Sequence, residues 1–191
     1  MGINKEFRTV DLIIGSNAET LGIDAFALSL IKAERQIRKL FTFLAFQSPN
    51  FSSSDVLKLR ETLTKNDKVY FQGFIDGINA LSKQSIKDLI GDRYDHLQSR
   101  RKEAISYRNK IFHGQLTNKY LEREDLLALV ADIREWCELL ANTADASFGY
   151  DGFRRDSFKK SSMPDISTKL KAELADVDSY ALFIQEHMQR R

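Results

Sequence analysis

The sequence predicts an all-α fold, an antiparallel bundle of four to five helices followed by a C-terminal extension of helical and irregular structure. Apolar residues recur at intervals of three and four along most of the chain, which is the period of a helix buried on one side. Only 9 Gly and 2 Pro interrupt the 191 residues, and a hydrophobic fraction of 42% with 13 Phe is enough to build a core. Long amphipathic helices joined by short connections pack most economically as a bundle.

The same pattern divides the chain into three segments. Residues 1–22 form an N-terminal arm with an apolar patch at Val10–Ile14, for which a short strand and a docked arm both stay open. Residues 23–148 form the predicted bundle, and residues 149–191 form the extension. One or two short helices are expected in the extension from the positions of Leu170, Leu174, Phe183, Ile184 and Met188.

The bundle begins with a helix whose apolar stripe starts after Ile23. Its members are Leu30, Ala33, Ile37, Leu40 and Leu44. This helix should end near Pro49, because proline and the residue before it resist helical geometry. Ser52–Asp55 then offer N-caps for a shorter helix, an apolar face over Phe71–Leu81 predicts another, and one helical turn follows around Ile86–Ile90.

Two longer helices complete the bundle. A charged segment, Arg93–Phe112, has Asp92 as its predicted N-cap. Its predicted core stripe is Leu97, Ile105 and Phe112. The next helix should begin in the acidic run Glu122–Asp125, since a helix N-terminus favours negative charge, and reach about Phe148. Its apolar stripe is Leu126, Val130, Ile133, Cys137, Leu140 and Ala144.

Composition excludes several classes of function. A net charge of +2 is too small to indicate a polybasic binder, and the single cysteine, Cys137, rules out an intramolecular disulfide framework and a Cys-based zinc finger. His96 and His187 lack partners at ligand spacing, so neither a metal site nor a cofactor is predicted. No signal peptide and no apolar run of membrane-spanning length is visible, which predicts a cytoplasmic protein that does not act at a membrane.

The informative segment is 100–114. Between residues 100 and 110 it carries five basic residues against one acidic residue, Glu103. Arg101 and Arg108 are seven apart, so they lie on nearly one line of a helix, at the border of the apolar stripe. A partly buried guanidinium needs an anion, and phosphate matches its two-pronged donor geometry. For Arg101 and Lys110, a phosphate contact and a solvated charge are both open.

His113 occupies a different position on this helix. Gly114 directly follows it and suits the left-handed conformation that ends many helices, so His113 should be the last residue of the helix. The carbonyl end of a helix favours a protonated imidazole, whereas the nearby Arg108 opposes it. Such a histidine is suited to general acid–base work.

Together these residues resemble the signature of the HEPN superfamily, helical domains many of which are metal-independent endoribonucleases. The signature is an arginine, a polar residue, three further residues and a histidine at a helix end. Here it runs from Arg108 and Asn109 to His113, and the resemblance covers about residues 23–148. It implies that two subunits pair as a homodimer, so that both motifs face one composite cleft that binds RNA.

The resemblance also implies roles for the residues. The RNA 2′-OH would attack its own phosphate, leaving a cyclic phosphate and a 5′-OH. Arg108 would hold and neutralise the phosphoryl oxygens, His113 would move the proton, and Asn109 would position one or the other. By analogy alone, the protein would be a toxin or antiviral defence effector, restrained by an antitoxin or regulatory protein. One subgroup, which pairs with a nucleotidyltransferase, carries Tyr where this chain has Gln115, and this departure weakens that partnership.

Two alternatives to the ribonuclease stay open. One is a non-catalytic HEPN module that binds RNA, a nucleotide or a partner protein as a scaffold or regulator, and the other is a structural helical protein with a coincidental motif. In the structural case, Arg108 would pair with Asp95, Glu103 or an acidic residue of another helix. The aromatic and basic tract Tyr150–Lys160 could stack on single-stranded RNA or anchor to the bundle, and its spacing favours anchoring.

Overall fold

Helices make up the regular structure of the chain. The computed structural model describes residues 2–66, 68–118 and 120–189, and within those ranges extended segments pair only at two isolated bridges. The predicted all-α fold class is therefore confirmed. The helices are α1 Ile3–Ile14, α2 Leu21–Phe46, α3 Val56–Lys65, α4 Phe71–Leu81, α5 Ile86–Ile90, α6 Tyr94–Phe112, α7 Arg123–Phe148 and α8 Val177–His187.

The N-terminal segment forms helix α1, so the short strand, one of the two interpretations that the sequence left open, is wrong. Phe7 and Val10, one turn apart, are fully buried, and this spacing places both on one face of the helix. On the exposed side, Asp11 accepts a hydrogen bond from Arg134 of α7 at 2.5 Å. The apolar patch that the sequence left undecided is thus the inner face of an amphipathic helix.

The chain folds into two compact units. One unit, here called the motif unit, contains the described residues up to Glu34 and the segment Ile90–Leu140. The other, here called the aromatic unit, contains Arg35–Leu89 and the described residues from Ala141 onward. Both long helices, α2 and α7, therefore contribute to both units. The segments predicted from sequence, 1–22, 23–148 and 149–191, follow the hydropathy pattern and stay a prediction.

In the motif unit, α7 supplies its predicted apolar stripe to the core. Every member of that stripe from Leu126 to Leu140 is buried. Ion pairs then link α7 to the segment before and within α6: Arg93 bonds Glu135, while Arg100 bonds Asp132. Because higher numbers on α6 meet lower numbers on α7, the two helices run antiparallel.

Helix α6 buries a different face from the one predicted. Leu97 is buried as expected, but Phe112 is 64% exposed. The buried residues of this helix are Leu97, Arg101, Ala104 and Tyr107. The predicted N-cap is also wrong, since Asp92 lies within a 3₁₀ turn, Gly91–Arg93, that leads into the helix. The predicted stripe counts apolar residues only. Arg101 and Tyr107 are buried as well, because the apolar part of a long amphiphilic side chain can pack in the core.

The aromatic unit is built around a cluster of rings. Phe41 lies between Phe74 of α4 and both Tyr180 and Phe183 of α8, at ring-centroid distances of 5.9, 6.1 and 6.3 Å. Helix α8 approaches α4 closely at Gly73, where a Cβ atom would lie 2.1 Å from the carbonyl oxygen of Met188. Only glycine permits this approach, so a larger residue at position 73 would push the end of α8 away from α4.

The aromatic and basic tract is anchored within the aromatic unit. The ring of Tyr150 stacks on Phe43 with centroids 4.5 Å apart, and Phe153 is buried. The ammonium of Lys160 donates to the carbonyl oxygens of Phe46 and Ser48, both at 2.6 Å, at the end of α2. These contacts agree with the anchoring interpretation favoured by the sequence.

Candidate functional site

The predicted motif lies at the carboxyl end of α6, where the chain reverses. Gly114 has a φ of +62°, and His113 is the C-cap residue. The N–H of Gly114 donates to the carbonyl of Ile111 at 3.2 Å, and the N–H of Gln115 donates to the carbonyl of Lys110 at 2.8 Å. These two bonds form a Schellman motif, which ends a helix in the way that Gly114 predicts.

Arg108 is held by a carboxylate from another helix. Its Nη2 donates to Oε1 of Glu34 in α2 at 2.8 Å, and the two side chains are 37% and 27% exposed. Of the partners left open by the sequence, Arg108 thus takes an acid of another helix, while Glu103 accepts a hydrogen bond from Tyr107. The Nε of Arg108 is buried and has no hydrogen-bond partner among the described residues.

Arg108 differs in this respect from two other arginines of the motif unit. Arg93 donates through Nε and Nη2 to both carboxylate oxygens of Glu135, at 2.6 and 2.9 Å. Arg100 donates through Nε to Asp132 at 2.6 Å and through Nη1 to a second carboxylate. These two guanidinium groups are therefore each engaged through two donors, whereas the bond of Arg108 to Glu34 uses one.

Asn109 and His113 are exposed. Among the described residues, neither side chain has a hydrogen bond or ion pair, and the two residues are joined only by the backbone bond from the N–H of His113 to the carbonyl of Asn109, at 3.1 Å. An exposed imidazole without a bonded partner can take a proton from a bound molecule or give one to it. The geometry therefore leaves His113 available for proton transfer.

Arg101 lies in the core, with 4% of its surface exposed. Its Nε donates to Oε1 of Gln98 at 3.0 Å, and its guanidinium lies 5.6 Å from the ring centroid of Trp136. It also lines a cavity of about 10 Å³ with Leu30, Ala33, Leu97, Asp132, Ile133 and Trp136. A phosphate contact would require the guanidinium to leave these surroundings, so Arg101 is not carried into the RNA contacts proposed below.

Lys110 is half-buried, and its ammonium donates to Oδ1 of Asn118 in the loop after α6. Of the five basic residues in the segment 100–110, Arg100 and Arg108 are bonded to carboxylates. The pairs of Arg100 and Arg108 use acids of α7 and α2, which no local pattern connects to α6. For the acids of α7, the sequence offers one indication: Asp132 and Glu135 are three positions apart and so lie on one face of the helix, where both can pair with arginines of a neighbouring segment.

Large apolar side chains are exposed around the motif. Phe112 precedes His113, and Leu116 and Tyr120 follow in the loop, with exposures of 64%, 93% and 87%. Three large apolar residues are therefore exposed within nine positions at this end of α6.

No known protein family, curated protein or solved structure matches this chain. Within the ranges that the structure describes, no three or more His, Cys, Asp or Glu side chains are grouped so that they could hold a metal ion. No helix there is long and apolar enough to cross a membrane. The functional argument therefore depends on the motif at the end of α6 and on its surroundings.

Proposed function

We propose that the chain is a metal-independent endoribonuclease of HEPN type, with Arg108 and His113 as its catalytic residues and Asn109 as a positioning residue. One observation carries this proposal: the end of α6 presents Asn109 and His113 to solvent beside a half-exposed Arg108 whose donors are incompletely bonded. Lys110, next in sequence, would add a contact to the RNA backbone.

The proposed reaction is an internal transfer at the RNA phosphate. The 2′-OH loses its proton, the bond from O2′ to phosphorus forms, and the bond from phosphorus to O5′ breaks. The leaving O5′ takes a proton, so the products are a 2′,3′-cyclic phosphate and a 5′-OH. Arg108 would stabilise the charge that gathers on the phosphoryl oxygens, and His113 would take and return the proton.

The proposal includes a homodimer with the two motifs in one cleft. Phe112, Leu116 and Tyr120 support it, because a second copy seated on these residues would remove their apolar surface from water. Light scattering during size-exclusion chromatography should give twice the chain mass. A monomer at the concentration used for cleavage would rule out a composite cleft.

The decisive experiment is cleavage of total RNA by purified protein in EDTA. Arg108→Ala and His113→Ala should each lower the rate by about 10²–10⁴-fold, as expected for losing charge stabilisation or acid–base catalysis. Arg93→Ala and His96→Ala are matched controls, since they remove an ion-paired arginine and a histidine from the same unit outside the motif. Both controls should cleave at the wild-type rate.

The products provide a second criterion. Cyclic phosphate and 5′-OH ends, identified by end-specific labelling, would support the proposed chemistry. Cleavage that survives both motif substitutions, or that stops in EDTA and resumes with added metal, would contradict it. The absence of cleavage by wild-type protein would favour the alternative described below.

The biological role proposed by analogy is that of a toxin or antiviral defence effector, held in check by an antitoxin or regulatory protein. Induced expression in a bacterial host should then arrest growth with the wild-type chain but not with Arg108→Ala or His113→Ala. Equal growth of wild-type and variant strains would argue against an unrestrained toxin.

A second candidate is a non-catalytic module that binds RNA, a nucleotide or a partner protein. The exposed Phe112, Leu116 and Tyr120 favour a partner protein, because its docking would remove their apolar surface from water. The salt dependence of RNA binding separates two kinds of surface. A surface that contacts phosphate loses RNA affinity steeply as the salt concentration rises, whereas a surface that docks a protein through apolar residues does not.

A further inference from the structure

We infer that Glu34 is a positioning residue of the site, which orients the guanidinium of Arg108 for the RNA phosphate. This inference rests on the proposed ribonuclease function and adds a residue that the motif does not contain. Glu34 belongs to α2 and lies 74 positions from Arg108 in sequence. Its role follows from the contact it makes and from the donors that this contact leaves unused.

The contact fixes one end of the guanidinium. Oε1 of Glu34 accepts from Nη2 of Arg108 at 2.8 Å, and the Nε of the same group is buried. Since a guanidinium is planar and rigid, an anchored Nη2 and an enclosed Nε together restrict the direction of the remaining donors. A side chain on a helix end would otherwise move among several rotamers.

The number of bonded donors distinguishes this pair from that of Arg93 and Glu135. The side chain of Arg108 is 37% exposed and its bond to Glu34 uses Nη2 alone, so the guanidinium keeps a donor outside this bond for a phosphate. The bond of Arg93 to Glu135, in contrast, occupies two donors on one carboxylate. Orientation of a catalytic group has a large effect, since a misplacement of about 1 Å can cost about 10²-fold in rate.

The charge of Glu34 has a separate consequence. A carboxylate beside the phosphate site weakens RNA binding by repulsion while it improves the orientation of Arg108. Removing it should therefore lower kcat without raising KM. Loss of a residue that serves the fold would instead lower the amount of folded protein, with both kinetic constants of the folded fraction unchanged.

The first arm of the test is kinetic and uses the full chain with a short fluorescent RNA. Glu34→Ala should lower kcat by about 10- to 100-fold with KM unchanged or lower. Glu34→Gln keeps an oxygen that can accept from Nη2, so it should retain more activity than Glu34→Ala. Glu135→Ala, which removes the partner of Arg93, is the matched control and should leave kcat unchanged.

The second arm does not depend on activity. In protein labelled with ¹⁵N-arginine, the Nε–Hε signal of Arg108 is identified by its loss in Arg108→Lys. In the wild type this hydrogen should exchange slowly with water, because Nε is buried. Exchange should become faster and the ¹⁵N heteronuclear NOE should fall in Glu34→Ala, but not in Glu135→Ala.

The outcomes separate this inference from the proposed function. An active Glu34→Ala variant, in a background where Arg108→Ala and His113→Ala are inactive, would leave the ribonuclease intact and overturn the role of Glu34. An unchanged Arg108 signal in Glu34→Ala would also overturn it. A wild-type chain that does not cleave RNA would overturn the proposed function itself, and the positioning role in catalysis with it.

Discussion

Replacing Tyr150 tests whether the tract 150–160 anchors to its own helices or serves RNA. The ring of Tyr150 stacks on Phe43, with centroids 4.5 Å apart and planes inclined by 12°, and the residue is fully buried. Its hydroxyl donates to the carbonyl of Arg154 at 2.8 Å. Burial raises the pKa of Tyr150, so this group is a neutral donor at neutral pH.

The size of the effect follows from these contacts. Truncating a buried aromatic side chain to alanine costs about 3–5 kcal/mol, of which stacking contributes about 0.5–1.5 kcal/mol. Removing the hydroxyl alone costs about 1 kcal/mol. We therefore expect Tyr150→Ala to lower the free energy of unfolding by about 4 kcal/mol and Tyr150→Phe to lower it by about 1 kcal/mol.

Urea unfolding followed by far-UV circular dichroism measures these differences, with equal m-values required for the comparison. Leu57→Ala, in the same unit, is the control, since a side chain that is 70% exposed should change the free energy of unfolding by less than about 0.5 kcal/mol when truncated. RNA affinity, measured by fluorescence anisotropy well below the unfolding midpoint, should be unchanged in Tyr150→Ala. A variant that unfolds at the wild-type urea concentration but no longer binds RNA would refute the anchoring interpretation.

Three further predictions concern single groups. Burial raises the pKa of the Cys137 thiol, so a thiol reagent should modify it only under unfolding conditions; modification of the native protein would contradict the packing of α7. Gly114→Ala forces an alanine to a φ of +62° and should cost about 1–2 kcal/mol in urea unfolding, whereas Gly15→Ala, at a φ of −78°, should cost less; equal losses would contradict a requirement for the left-handed conformation. Burial lowers the pKa of Lys160 from 10.5, so the unfolded chain binds this proton more tightly. The free energy of unfolding of the wild type, relative to that of Lys160→Met, should therefore rise as the pH increases from the folded-state pKa of Lys160 to its unfolded-state pKa. If the free energies of the two proteins change in parallel with pH, the lowered pKa of Lys160 is contradicted.

The elements with a regular apolar period could be predicted from the sequence. Helix α7 buries the stripe Leu126–Leu140 because leucine, valine and isoleucine recur at helical spacing and leave one arrangement that removes them from water. The ends of helices could also be predicted where a residue restricts the backbone to a conformation that a helix does not continue. Gly114 ends α6 through its positive φ, and Pro49 follows the last residues of α2.

The buried face of α6 could not be read in this way. Two of its buried residues, Arg101 and Tyr107, carry polar groups at the end of long apolar stems. A count of apolar residues therefore selected Phe112, which is exposed. The partner of Arg108 was out of reach for another reason: Glu34 comes from a distant helix, and only the packing of α2 beside α6 brings the two side chains within 2.8 Å.

The contrast between Arg101 and Arg108 shows where function is expected on α6. The two arginines are seven positions apart on nearly the same line of the helix, yet one is buried beneath Trp136 and the other is half-exposed. The helix therefore leaves the core over its last turns and ends with Phe112 in water. Leaving the Phe112 side chain exposed forgoes about 1.5–3 kcal/mol of burial. In the proposed homodimer, the partner copy would cover this end of the helix and recover part of that free energy.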